Sequence, residues 1–230
     1  MDSKPPGKSI VREIAESVGE AGLSMVPFAG GPLAVAFKTA VGWRVARRAE
    51  DFLAAVAQDL NDLHERVDDL DFEKLADDPV FVDAVMTAAR AAERTSQAEK
   101  ISALRNAVVN SAGPDAPDAD TQAIFFGLVD RFTPSHLRML AMWDDPQQWF
   151  ADHGLTRPTG GFSASRTQTV EAGLEEMRGR RDFYLLIAGE LQSAQLLTAS
   201  LSGMVSQAGL MNRLTTDFGR QFLIFIRPPG

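Results

Sequence analysis

Apolar residues recur every three or four positions along most of this chain, the period of helices buried on one side. The longest run is Ala46, Ala49, Leu53, Val56, Leu60, Leu63, Val67 and Leu70. Its alternating spacings of three and four form a heptad seam, which predicts a long helix packed lengthwise on another helix. The seam suits either an intramolecular bundle or a contact between subunits. Upstream, Ser9 to Ala21 is amphipathic through Ile10, Ile14 and Val18. Between the two patterns the period fails. Residues 22–37, GLSMVPFAGGPLAVAF, carry no charge, and Pro27, Gly30, Gly31 and Pro32 interrupt any single helix there. The stretch is shorter than the roughly 20 apolar residues of a membrane-spanning helix.

Further along, local stop and start signals mark shorter helices. Asp78-Pro79 predicts a helix with an aspartate cap and proline in its first turn, with Val82, Val85, Ala89 and Ala92 inward. Ser96 to Glu99 has the form of a capping box, which places a break near Thr95. The next helix turns Ile101, Leu104 and Val108 inward and stops by Gly113. Residues 113–120, GPDAPDAD, have the composition of a linker. Beyond them come helices from about Thr121 to Phe132, after Thr133-Pro134, and after Asp145-Pro146. A Gly, Ser, Thr and Arg-rich loop is expected from Leu155 to Gln168. A helix then starts near Arg181, followed by a strand or extended loop at 197–204 and a capped apolar helix within 214–226. The expected fold is mainly α. It comprises an N-terminal helical bundle with a long heptad helix over 1–112 and a linker over 113–120. A winged-helix-like domain with at most a small β-ribbon follows over 121–230.

Charge is unevenly spread. Residues 1–120 hold 13 basic and 21 acidic side chains, the whole of the net −8, while residues 121–230 hold 10 of each. Neither half offers a broad basic face to a nucleic acid duplex. Absence of cysteine removes disulfides, thiolate metal sites and a cysteine nucleophile, and fits a reducing cytosol. Charges scattered through the opening residues argue against a secretory signal.

Motifs for catalysis are missing. His64-Glu65-Arg66-Val67-Asp68 lacks the second histidine of a zinc-protease helix, and His136 and His153 have no ligand partner at sequence spacing. Phe37 stands where a phosphate loop requires glycine before Lys38. Asp68, Asp69, Asp71 and Glu73 read as a solvated helix end. No nucleophile–base pair can be named, so the expectation is a non-enzymatic protein without metal or cofactor. Two arginine clusters have candidate roles. Arg44, Arg47 and Arg48 suit a membrane surface or phosphate contact, with pairing to Glu50 and Asp51 as the alternative. Arg178, Arg180 and Arg181 suit nucleotide or oligonucleotide contact, with pairing to Glu175 and Glu176 as the alternative.

Three stretches resemble the bacterial abortive-infection alpha (Abi-alpha) family. They are the Gly/Pro apolar segment followed by Arg-Val-Ala-Arg-Arg, Phe-Thr-Pro-Ser-His-Leu-Arg-Met-Leu at 132–140, and Leu-Thr-Thr-Asp-Phe-Gly-Arg-Gln-Phe-Leu at 214–223. The resemblance implies an antiviral effector that halts the infected cell, and carries over no catalytic residues. It also implies control by a co-encoded enzyme or its nucleotide or oligonucleotide product. The expected effector rests in the cytoplasm as a self-inhibited homo-oligomer and acts on inner-membrane lipid when released. Met25, Val26, Phe28, Leu33, Val35 and Phe37 are the insertion candidates; Leu53, Val56, Leu60, Leu63, Val67 and Leu70 form the seam. A winged-helix DNA-binding regulator and a helical protein adaptor are the alternatives.

Overall fold

In the computed structural model, residues 32–66, 71–159, 164–201 and 203–229 are described. Among them the chain is mainly helical, with ten α-helices and one ladder of two-residue strands. It packs as two compact units, one running to Asp130 and including Phe225 onward, the other spanning Arg131–Ile224. The 113–120 segment lies inside the first unit, because Asp118 caps the helix that follows rather than separating domains. Its carboxylate accepts from the Thr121 N–H at 3.0 Å and the Thr121 hydroxyl at 2.7 Å.

In the first unit, α1 (Pro32–His64), α3 (Pro79–Glu93) and α4 (Ala98–Ser111) pack against one another. The helix α1 begins at Pro32, where a missing N–H costs no ladder bond. Its seam residues Ala49, Leu53, Val56, Leu60 and Leu63 are buried within the chain, while Val67 and Leu70 lie outside the described residues. Opposite them, α3 buries Phe81, Ala84, Val85, Ala88, Ala89 and Ala92. The many alanines let the helices approach closely. Val82 is only half-buried, so the inward face is wider and rotated toward Phe81 and Ala84. A two-point Arg105–Asp59 bridge, at 2.8 and 2.6 Å, joins α4 to α1.

Caps account for most element boundaries. Asp71 starts the short α2 (Phe72–Asp77), and Asp78 accepts from the Val80 N–H at 2.9 Å to start α3. The expected box at Ser96 does not form. Thr95 Oγ1 takes the Gln97 N–H at 3.1 Å, so the turn runs one residue further and Gln97 stands at the helix start without a side-chain cap. The helix α5 (Ala119–Arg131) places Phe125 and Phe126 against Phe225, with ring centroids at 5.4 and 5.5 Å.

The second unit holds α6 (Pro134–Asp144), α7 (Pro146–Asp152), α8 (Arg166–Gly173), α9 (Arg181–Ser193) and most of α10 (Asp217–Ile226). The helix α8 replaces the end of the expected 155–168 loop. Ser165 and Gln168 form a capping box for it, while its threonine-rich sequence carries almost no apolar period. The strand β1 (Ala164–Ser165) pairs antiparallel with β2 (Met204–Val205). After α9, Gln195 takes φ 59°, and Leu197 bridges antiparallel to Thr215. Thr216 then caps α10 by accepting the Gly219 N–H at 2.8 Å. Trp143, Tyr184, Phe132, Phe150 and Phe222 fill this unit's core.

Candidate functional site

The stretch 41–48 of α1 differs from the turns that follow it. From Ala49 onward every turn contributes a buried residue, but Val41, Trp43, Arg44, Arg47 and Arg48 are exposed. Trp43 is 62% exposed, although tryptophan has much to gain from burial. The Arg47 guanidinium lies 5.5 Å from the Trp43 ring centroid and 3.6 Å from the Asp51 carboxylate. Arg48 donates to the Glu93 carbonyl at 3.3 Å. The structure therefore places the three predicted arginines together on one helix, with the expected Arg47–Asp51 pair also present. Trp43 was missed by the sequence reading, although its position next to Arg44 after an apolar stretch was a usable signal.

The insertion candidates fall into two groups. Met25, Val26 and Phe28 lie outside the described residues. Leu33, Val35 and Phe37 fall on the α1 backbone. No helix among the described residues is long and apolar enough to cross a membrane.

The second arginine cluster is dispersed. Arg178, Arg180 and Arg181 are all exposed around the start of α9. Arg180 donates to the Glu176 carbonyl at 3.3 Å and lies 3.9 Å from the Phe183 ring centroid. The Glu176 carboxylate is held instead by Arg138, at 3.0 Å. Along α9 the outward positions are Arg181, Asp182, Leu186, Gly189 and Ser193, so beyond the Arg181–Asp182 start these positions carry no charge and few groups that read base edges.

Two polar clusters emerge only in three dimensions. His136 accepts the Thr133 N–H on Nδ1 at 3.2 Å, which leaves Nε2–H to donate to Glu190, 54 residues away, at 2.9 Å. The imidazole is buried and stacked on Phe132 with centroids 4.8 Å apart. It completes the α6 capping box and ties α6 to α9. In the first unit, the buried Lys100 ammonium donates to the Asp130 carbonyl at 2.8 Å, and Arg94 meets the Asp130 carboxylate at 2.8 Å. They line a cavity of about 440 Å³ beside the start of α4. Burial pushes the Lys100 ammonium below its usual range, partly opposed by Asp130. These charges largely satisfy one another. Among the described residues no group of three or more His, Asp or Glu side chains is placed to hold a metal ion. His64 and His153 are exposed, beside Phe72 and Trp149 respectively.

No protein-family model, curated protein or solved structure matches this chain.

Proposed function

We propose that this protein is a non-enzymatic, membrane-disrupting effector whose N-terminal apolar stretch enters the bilayer after release from a self-inhibited, homo-oligomeric resting state. The observation that carries the reading is the exposed Trp43–Arg44–Arg47 surface on α1. It follows directly on the uncharged 22–37 stretch, so an apolar entering piece and an interfacial anchor stand side by side in sequence. Glycine and proline in that stretch suit a segment with two packings. The resemblance to abortive-infection proteins supplies the setting, antiviral defence, with a co-encoded enzyme or its nucleotide product as the trigger. The resting protein belongs in the cytoplasm and the released form at the inner membrane.

We read the second unit as a winged-helix-like scaffold. Support comes from the succession of the short helices α6 to α8, the longer α9, the Leu197–Thr215 pairing around an intervening loop, and the closing α10. Leu186 and Gly189 on the outer side of α9 favour a scaffold over a groove reader, which sets the DNA-regulator alternative behind the effector.

Dye release from anionic vesicles tests the proposal, in neutral and in mildly acidic buffer. Little release by the resting chain in neutral buffer, and release in the mildly acidic buffer used to open the resting state, lost on Ala34→Asp or Val35→Asp, is the expected result. Absence of release in both buffers refutes it.

A further inference from the structure

We propose that the exposed face of α1 between Val41 and Arg48 is a docking surface for anionic phospholipid, formed by Trp43, Arg44 and Arg47 with Arg48 at its flank. The inference rests on the membrane reading above and names the lipid class that the anchor selects.

Helical register sets the surface. Trp43, Arg47 and Asp51 follow one another at i, i+4 and i+8, with Arg44 one position around the helix. This row lies on the opposite side of α1 from the buried Ala49, Leu53 and Val56. Its composition departs from the rest of the chain. Between residues 21 and 49 the charged side chains are Lys38, Arg44, Arg47 and Arg48, all basic, in a protein of net charge −8. Asp51 meets the cluster through Arg47, but both partners are more than half exposed, so that pair is readily exchanged for another anion. An aromatic ring with one apolar and one polar side, next to long cationic stems, matches the boundary between headgroups and acyl chains. Phosphate oxygens accept from the guanidinium groups there while the indole sits at headgroup level.

Charge decides the lipid class. A zwitterionic surface offers phosphates without a net field, whereas an anionic leaflet attracts each nearby Lys or Arg, strengthening partition by about fivefold per residue. Three arginines together are worth roughly 100-fold. Duplex DNA also offers phosphates, but it has no apolar boundary at which the Trp43 indole can sit.

Co-sedimentation of the full chain with phosphatidylglycerol-containing vesicles, against pure phosphatidylcholine vesicles, tests the proposal. Fluorescence of Trp43 gives a second readout, separated from the buried Trp143 and half-buried Trp149 by difference against Trp43→Phe. The expected result is salt-sensitive binding to the anionic vesicles only. It is accompanied by a blue shift absent from Trp43→Phe, and by roughly 100-fold weaker binding of the Arg44→Gln, Arg47→Gln, Arg48→Gln triple variant. Matching circular dichroism melts of parent and variants exclude unfolding, and the single Arg44→Gln variant, about fivefold weaker, serves if the triple variant melts early. Equal binding to both vesicle types, an unaffected triple variant, or tighter binding to duplex DNA through the same residues overturns the proposal. Binding without dye release upholds this surface and refutes the disruption reading; dye release that ignores the arginines does the reverse.

Discussion

The end of α10 is held by two asparagines of α4, and removing one of them has a calculable cost. A helix leaves its last four carbonyls without partners in the ladder. Here Asn110 Nδ2 donates to the Phe225 carbonyl at 2.8 Å and the Arg227 carbonyl at 2.9 Å, and Asn106 Nδ2 to the Ile226 carbonyl at 2.9 Å. Phe225 is buried against Phe125 and Phe126, so water reaches its carbonyl poorly. At about 1 kcal/mol net per hydrogen bond, Asn110→Ala costs about 2 kcal/mol and Asn106→Ala about 1. For a chain of this length, the first corresponds to a fall in melting temperature of roughly 4–8 °C. Urea unfolding followed by circular dichroism measures the loss, and hydrogen exchange at 217–226 locates it. The double variant should lose about 3 kcal/mol if the two act independently. An Asn110→Ala variant within about 0.5 kcal/mol of the parent, the range of a neutral surface change, refutes the argument.

Glycine positions give a paired test. A Cβ on Gly219 would collide with the Leu196 carbonyl oxygen, so Gly219→Ala forces α10 away from the segment that follows α9 at a cost of about 3 kcal/mol. Gly127 and Gly189, both helical with open space at the Cβ, gain about 0.5–1 kcal/mol as alanine in the same denaturation assay. Tyr184 is the sole tyrosine, and burial together with its hydrogen bond to Glu171 raises its pKa above the ordinary 10.0. Above pH 10 the unfolded chain loses this proton while the folded chain keeps it, so stability falls as pH rises there. Phenolate absorbance should appear late in the folded chain, and Tyr184→Phe should remove part of the alkaline loss of stability. An ordinary phenolate titration in the folded protein contradicts the assignment.

Local chemistry was the legible part of this fold. The α1 seam follows from its period, and the aspartate and threonine starts before Pro79, Pro134 and Pro146 each depend on residues within three or four positions. The α8 helix was hidden because its boundary is set by a Ser165–Gln168 capping box while its interior lacks an apolar stripe. The break near Thr95 was visible, but which residue captures which N–H depends on loop geometry. Pairings such as His136 with Glu190, or Asn110 with Phe225, join residues far apart in sequence, and no spacing rule reports them. At the candidate site the arginines were legible and Trp43 was not. Its exposure is a packing outcome: between Val41 and Arg48 no α1 side chain is fully buried, whereas from Ala49 each turn contributes one.

Because the chain has no cysteine, a single Phe28→Cys variant carries one fluorescent label within the apolar stretch. An Asp115→Cys variant places the same label on the exposed 113–118 loop as a control. Quenching by lipids bearing quenchers on their acyl chains, measured on anionic vesicles under the dye-release conditions, reports whether residue 28 enters the bilayer. The effector account predicts strong quenching at residue 28 and none at residue 115. A label at 28 that stays accessible to aqueous quenchers while dye escapes contradicts it.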